Sequence, residues 1–388
     1  MTLAEPDLAQ RLAAADRALA AGSLLQARNI LEEIARLDPP VMPFWQRLAT
    51  VRKMAGAPLL AIEAIDRALA LSPLDFVNLL MRAHLLDSAG HPEAGEAYGR
   101  ALAQPRPQPL PPMLVQTIMR AEALWAEHQH SMQRRLGAAV EASGADLTPT
   151  ERRRAERFAT NIARTTRTYH SEATHFAYPG LREAEFHDRS DFPWADELES
   201  LTATICAEMD QVANAPDASL VPYVKYHDSE PLAQWRELNH NRDWTAIHLI
   251  ERGTNVAANA AHCPETMAFL ARMDQPTIPG CGANAMFSLL APHTHIPPHV
   301  GVANFRLLCH LPLIVPNRCW FRVGAETRDF TEGHSWVFDD TIEHEAKNET
   351  DRLRVILIFD LWHPDLSPAE RSAIQAAVSA AAFPVGAL

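Results

Sequence analysis

Phe287-Ser288-Leu289-Leu290-Ala291-Pro292 runs into His293-Thr294-His295-Ile296-Pro297-Pro298-His299-Val300-Gly301. The chain continues through Asn304-Phe305-Arg306-Leu307-Leu308-Cys309-His310 and Phe338-Asp339-Asp340-Thr341-Ile342-Glu343-His344-Glu345 to Leu353-Arg354-Val355-Ile356-Leu357-Ile358-Phe359-Asp360. The apolar runs are rich in β-branched and aromatic residues, which favour strands. Alternation along a strand puts Phe305, Leu307, Cys309, Leu311 and Leu313 on one face and Arg306, Leu308, His310 and Pro312 on the other. The same rule groups Arg354, Ile356, Ile358 and Asp360. Each strand therefore offers one apolar face to a core and a second face that carries a cation. A guanidinium stays charged and its fork matches a carboxylate, so two such strands lining one cavity predict an anion site. Polar groups entering a core need partners, and a metal with an anionic ligand would supply them.

His299 and His344 lie 45 residues apart. The first follows Pro297-Pro298 and the second follows the acidic turn Asp339-Asp340. Both fall at the edges of predicted strands, where loops of a small β-barrel can bring two imidazoles to one metal. His344-Glu345-Ala346-Lys347-Asn348 is not a zincin helix, because the second histidine of that motif is missing. His187, His227, His240 and His248 are widely separated and read as structural or surface histidines.

Outward from this stretch, 388 residues suggest two or three domains, and 47% hydrophobic with 21% charged residues describe a folded chain. Thirty-five basic against 48 acidic residues give a net charge of −13 with no concentrated basic block, which argues against a nucleic-acid partner. The five cysteines, Cys206, Cys263, Cys281, Cys309 and Cys319, have no Cys-x-x-Cys spacing, so neither a disulfide framework nor a thiolate zinc site is expected. The N-terminus is acidic and lacks a basic segment followed by an apolar one, and no run approaches about 18 apolar residues. A soluble cytoplasmic protein without a membrane span is expected.

The first hundred residues repeat. Ala21-Gly22, Ala55-Gly56 and Ala89-Gly90 fall 34 residues apart, as do Pro39, Pro73 and Pro107. They bracket Ala/Leu-rich amphipathic segments such as 27–37 and 61–71. That period and the small residues resemble tetratricopeptide (TPR) repeats, with an Ala-rich helical bundle as the alternative. The third copy departs, with Gly95 where the others have Ala27 and Ala61. Alternating prolines from Gln104 to Pro112 predict an extended connector and a boundary. Helices are expected from Met113 to about Gly144 and from Thr148, with Glu151 completing a capping box, to about Thr168. A further helix spans Ala195 to Val212, and Cys263-Pro264 opens a short one. Asn239 to Trp244 reads as a turn entering a strand. The organisation expected is α+β and multidomain: TPR-like helical repeats over 1–107, a helical connector over 108–175, and a β-rich domain over 176–388.

From about Tyr178 to Arg371 the sequence resembles the aspartyl/asparaginyl β-hydroxylases, which are Fe(II)- and 2-oxoglutarate-dependent dioxygenases on a double-stranded β-helix of the jelly-roll, cupin-like kind. The resemblance is carried by Pro297-Pro298-His299-Val300-Gly301, Asn304-Phe305-Arg306-Leu307, His310-Leu311-Pro312-Leu313, the segment Phe338 to Glu345, and Asp360-Leu361-Trp362-His363-Pro364. It implies that His299 and His344 are the iron ligands, that Arg354 with Ser288 holds the distal carboxylate of 2-oxoglutarate, and that His310 lies near the carboxylate that chelates the metal. Most 2-oxoglutarate oxygenases have a metal-binding acid two residues after the first histidine. Gly301 stands there, as the resemblance allows, which implies water in place of the carboxylate and makes an acid restored at 301 an expected extra ligand. Leu308 replaces an arginine that membrane-anchored members direct at the chelating end of 2-oxoglutarate, which leaves Arg306 as the candidate for that end.

The resemblance implies hydroxylation of an unactivated C–H bond with O2, at the β-carbon of an Asp or Asn residue of a peptide or protein that the repeats would engage; the family also includes hydroxylases of free amino acids and lipid-linked acyl groups. The alternatives are a cupin-like metal-binding module and a repeat adaptor whose barrel is inactive. A zinc hydrolase fits less well, since no motif places a general base.

Overall fold

The computed structural model describes residues 5–381 apart from 38, 40, 145, 228, 230–234 and 279–280. Residues 1–4 of the N-terminal reading and 382–388 of the expected β-rich domain lie outside the described residues. The chain forms two compact units, Met1–Thr165 and Thr166–Leu388.

The first unit is a succession of antiparallel helices: α1 (Glu5–Ala20), α2 (Leu24–Ala35), α3 (Met42–Met54), α4 (Pro58–Leu71), α5 (Phe76–Ser88), α6 (Ala94–Leu102), α7 (Pro112–Ser143) and α8 (Pro149–Ile162). Gly22, Gly56 and Gly90 end the first helix of each pair with φ of +75°, +75° and +64°. This is the left-handed conformation that closes a helix and that glycine adopts without strain. The 34-residue period is thus a repeat of helix pairs. Ala27 is fully buried, and Ala61 and Ala64 are fully buried among Leu31, Ile34, Leu48 and Ile65.

In the third pair Gly95 and Gly99 face α7: a Cβ on either would lie under 3.0 Å from the His128 or the Trp125 ring respectively. What departs from the repeat in sequence is the space that α7 needs. Ile118 and Ala121 of α7 join the core of α5 and α6, so the proline-rich stretch is a loop within this unit. The helices expected as a connector pack with the repeats, and the line between units falls at 165/166 rather than at 107 and 175. Thr148 and Glu151 form the expected capping box, but α8 stops at Ile162.

The second unit holds α9 (Ala195–Ser200), α10 (Thr202–Ala213), β1 (Leu220–Pro222), β2 (Trp244–Glu251), β3 (Thr254–Asn255), α11 (Ala257–Ala260), α12 (Pro264–Leu270), β4 (Ala285–Leu290), β5 (His295–His299), β6 (Arg306–Ile314), β7 (Cys319–Val323), β8 (Glu326–Asp329), β9 (Trp336–Phe338), β10 (His344–Asn348), β11 (Arg354–Trp362) and α13 (Pro368–Ala381). The single helix expected from Ala195 to Val212 breaks at Leu201. The hydroxyls of Ser200 and Thr202 donate back to the Glu197 and Glu199 carbonyls and compete with the helical ladder.

One antiparallel sheet has the order β1-β2-β4-β11-β6-β9 with β3 beside β2, and a second has the order β5-β10-β7-β8. Leu307, Cys309, Leu311, Val355, Leu357 and Phe359 form one cluster with Leu198, Ile205, Val212 and Phe269, so helices cover the outer face of the larger sheet. Trp244, Ala246, Ile356 and Ile358 meet Ile296, Phe321, Val323 and Ala346 of the smaller sheet in another cluster. The period-two alternation read for β6 and β11 is what assigns their two faces to these two cores. Among the described residues no helix is long and apolar enough to cross a membrane.

Candidate active site

Two histidines stand side by side where the smaller sheet faces the larger one. β5 is the edge strand of its sheet, the position where Pro297 and Pro298, which cannot donate to a ladder, are tolerated. They deliver His299 at the strand's end, in register with His344 at the start of β10. The turn before β10 is shaped by Asp339, whose carboxylate accepts from the Thr341 amide at 2.9 Å and the Thr341 hydroxyl at 2.5 Å. The two imidazoles stand 4.0 Å apart between ring centroids.

Each Nδ1 donates to a backbone carbonyl, His299 to Pro297 at 2.7 Å and His344 to Ile342 at 3.1 Å, which leaves both Nε2 lone pairs free. Burial first, and the neighbouring imidazole second, hold His299 well below its usual range, and burial holds His344 down to about 4. Two neutral imidazoles fixed through Nδ1 are the donor set that a divalent metal takes. No third His, Cys, Asp or Glu joins them among the described residues.

Gly301 explains the missing acid. A Cβ there would fall under 3.0 Å from both carboxylate oxygens of Asp340, which occupies that space. An aspartate at 301 therefore meets a buried carboxylate instead of an open coordination position, and the expectation of an added ligand is corrected.

Asp340 in turn belongs to Arg306. The Arg306 Nη2 donates to Asp340 at 2.7 Å and its Nη1 to Asp360 at 3.1 Å. Asp360 also accepts from the Asn284 amide at 2.6 Å. Burial raises both carboxyl groups while Arg306 opposes the shift. For Arg306 burial works downward, but the two acids outweigh it and keep the guanidinium charged. Both Nη groups are thus committed to protein carboxylates, which the sequence did not reveal because Asp340 and Asp360 come from distant segments.

Arg354 is the opposite case. It is 2% exposed and no carboxylate pairs with it among the described residues. Its Nη2 donates to Ser288 at 3.1 Å, its Nε has no partner, and its head lies 5.6 Å from the Phe330 ring centre. Burial pulls its pKa down to about 10. The Ser288 oxygen also accepts from the Trp244 Nε1 at 2.9 Å, so both lone pairs are used and only its O–H remains to be given. Ser288 and Arg354 thus keep donors to offer beside a charge that has no carboxylate partner among the described residues, with Trp244 holding the serine in place.

His310 stands among Phe321, Phe330 and Phe338, 5% exposed, with Nδ1 unpartnered. Burial, then the charge of Arg354 and the His344 ring, keep it neutral. Of the sequence candidates, Ser288, His299, His310, His344 and Arg354 come together between the sheets, with Arg306 tied into its own ion cluster. His187 instead packs on His363 and Phe192. Trp244, Tyr223 and Trp235 were not anticipated. Trp235 stands edge-on to His299 with centroids 4.8 Å apart, and Tyr223 stacks on Trp244 at 3.8 Å. The one signal for them was the density of aromatic residues around a predicted strand start.

The pattern common to the aspartyl/asparaginyl β-hydroxylases matches residues 199–364. An ornithine lipid ester-linked acyl 2-hydroxylase of Rhizobium tropici is 33% identical over 202 residues, covering 51% of this chain and 68% of that protein. The chain belongs to the aspartyl/asparaginyl β-hydroxylase family. Aspartate beta-hydroxylase domain-containing protein 2 of Xenopus tropicalis is 32% identical over 50% of this chain and 49% of its own. The aspartyl/asparaginyl beta-hydroxylase of Mus musculus is 35% identical over 37% of this chain and 20% of its own. The chain thus spans half or less of the length of these last two relatives. Among solved structures, the P58(IPK) TPR domain is 22% identical, covering 40% of each chain, at a TM-score of 0.28. In this family member His299, Gly301, His310, His344 and Arg354 all fall within the matched residues.

Proposed function

We propose that this family member is an Fe(II)- and 2-oxoglutarate-dependent dioxygenase that hydroxylates a carbon next to a carbonyl, its two sheets forming a double-stranded β-helix. The observation that carries this reading is Arg354, a buried guanidinium with no carboxylate partner among the described residues, set between the same two sheets as two neutral, oriented histidines. An isolated buried charge is costly. A small dianion reaching from Arg354 to a metal on His299 and His344 would neutralise it and meet the free donors of Ser288 and Arg354.

Iron bound there would supply O2 activation coupled to oxidative decarboxylation of 2-oxoglutarate. The chain's own residues do the rest. Arg354 and Ser288 would hold the distal carboxylate, with Trp244 fixing the serine. The carbonyls of Pro297 and Ile342 fix the tautomers of His299 and His344. His310, neutral among three phenylalanines, would stand beside the chelating end without adding charge. Phe321, Phe330 and Phe338 keep water from the reacting atoms.

The relatives' names bound the substrate. The β-carbon of an aspartyl or asparaginyl residue lies next to its side-chain carbonyl, and the 2-position of an ester-linked acyl chain lies next to its ester. A carbon α to a carbonyl is common to both. We take an Asp or Asn residue of a peptide or protein as the first substrate class, with the TPR-like helix pairs as the surface that engages it, in a cytoplasmic setting and without nucleic acid. An acyl ester is the second reading, favoured by the 68% of the Rhizobium tropici acyl hydroxylase that is covered. Acetyl-capped Asp and Asn peptides and a palmitoyl ester, incubated with Fe(II), 2-oxoglutarate and air, test it: a gain of one oxygen matched by succinate is expected. Iron and co-substrate binding without 2-oxoglutarate turnover would favour the inactive adaptor.

A further inference from the structure

Resting on the proposed function, the substrate needs a flank of the site that the co-substrate leaves open and a group there to hold it. The strand register of the larger sheet locates both. Ile356, Ser288 and Ala246 stand opposite one another on β11, β4 and β2, and the Arg354 head reaches this row, where its Nη2 meets Ser288 at 3.1 Å. Two residues further along, about 7 Å, a second row runs His310, Ile358, Met286, His248 across β6, β11, β4 and β2.

The two candidate metal ligands are tied to opposite halves of that sheet. Phe338 stands 4.7 Å from His310 and 5.5 Å from His344 between ring centroids, which joins His344 to the β6 half. Trp235 stands 4.8 Å from His299 and 6.1 Å from Trp244, which joins His299 to the β2 half. With Arg354, Ser288 and His310 given to the co-substrate, the β2 half is left for the substrate.

His248 is the polar group that β2 brings there. Trp244 and Ala246 belong to the core between the sheets, whereas Ile247 and Leu249 belong to the outer one, so alternation points His248 inward. A structural histidine spends its ring nitrogens on the protein. The Nδ1 of His248 is buried and has no hydrogen-bond partner among the described residues. The ring is only half-buried, because β1 pairs with residues 245–247 of β2 and β3 with residues 250–251, which leaves no strand beside His248 on the side away from β4. The register shift after His248 is a bulge, a device that re-aims side chains beside sites. Burial lowers its pKa, so the ring is neutral with one N–H to give.

We propose that His248 binds the substrate, its imidazole hydrogen-bonding the carbonyl or carboxylate oxygen next to the carbon that is hydroxylated.

His248→Leu fills the place of the ring without its nitrogens, and His248→Asn puts an amide where Nδ1 stands. Both are compared with wild type on the acetyl-capped Asp and Asn peptides and the palmitoyl ester, with hydroxylated product and succinate counted together. On the probe that wild type hydroxylates, the leucine variant should show KM raised about tenfold, the factor for one hydrogen bond to a charged or strongly polar acceptor, and less product per succinate. The asparagine variant should recover most of both. The Kd for 2-oxoglutarate, read under nitrogen from the absorbance that a 2-oxo acid develops on chelating Fe(II), should stay within about twofold in each. A leucine variant with wild-type KM and product ratio overturns the proposal. So does a 2-oxoglutarate Kd that rises with KM, because His248 would then act through the co-substrate or the fold, and so does an asparagine variant that recovers nothing. Wild type that hydroxylates none of the three probes contradicts the proposed function itself, and this assignment falls with it.

Discussion

Replacing Arg354 by methionine should make the metal-free protein more stable while it disables co-substrate binding. Arg354 is 2% exposed, has no carboxylate partner among the described residues, and is pulled down to about 10 by burial. Its charge therefore works against folding in the empty protein. Substituting apolar side chains for buried charge is often neutral or stabilising by about 1–4 kcal/mol. Methionine would lose the Ser288 bond and the contact with Phe330, so a gain near the low end, about 1 kcal/mol, is expected. The same substitution removes a charge-assisted contact worth about 1.5–3 kcal/mol, so the 2-oxoglutarate Kd should rise about ten- to a hundredfold. Arg354→Lys keeps the charge but loses the fork, and should fall between. Urea unfolding of the metal-free variants and anaerobic titration of their iron-loaded forms read the two quantities separately. A methionine variant that is less stable than wild type and binds 2-oxoglutarate equally well would make Arg354 a structural residue and not the anchor of the co-substrate.

Arg306→Met should do the reverse: it leaves Asp340 and Asp360 buried and unpaired and should destabilise the protein by about 3–5 kcal/mol in the same urea assay. Gly301→Ala pushes a methyl group onto the Asp340 carboxylate and should cost about 1–3 kcal/mol, with Gly301→Asp costing more and adding no iron affinity, both measurable by unfolding and by metal titration. His299 and His344 are held below their ordinary 6.5, His344 to about 4, so between these values the unfolded chain binds more protons than the folded one. Metal-free stability should accordingly fall as pH drops from about 6.5 towards 4, and His344→Ala should flatten that slope in unfolding curves taken across the range.

The strands that carry the site were legible because a period of two separates their faces. Arg306 and His310 share the inward face of β6, and Arg354 shares that of β11 with Ile356. The helix pairs were legible because three glycines recur at one spacing for one backbone reason. What stayed hidden depends on residues that only the fold brings together. Asp340 and Asp360 reach Arg306 from segments 34 and 54 residues away, so a cation read as available for a ligand is already paired. Trp244 reaches Ser288 across 44 residues, and nothing local in either marks the contact. The break at Leu201 escaped because hydroxyl groups bonding to their own helix leave the apolar periodicity intact. Gly95 looked like decay of a repeat because its function lies in α7, outside the repeat.

On the proposed function, 2-oxoglutarate and O2 meet on a metal held by His299 and His344. Incubating the Fe(II)-loaded protein with 2-oxoglutarate under ¹⁸O2 and weighing the succinate formed tests it most directly. Wild type should form succinate carrying one ¹⁸O, and His299→Ala and His344→Ala should lose it. Succinate no more abundant in wild type than in those variants would contradict it.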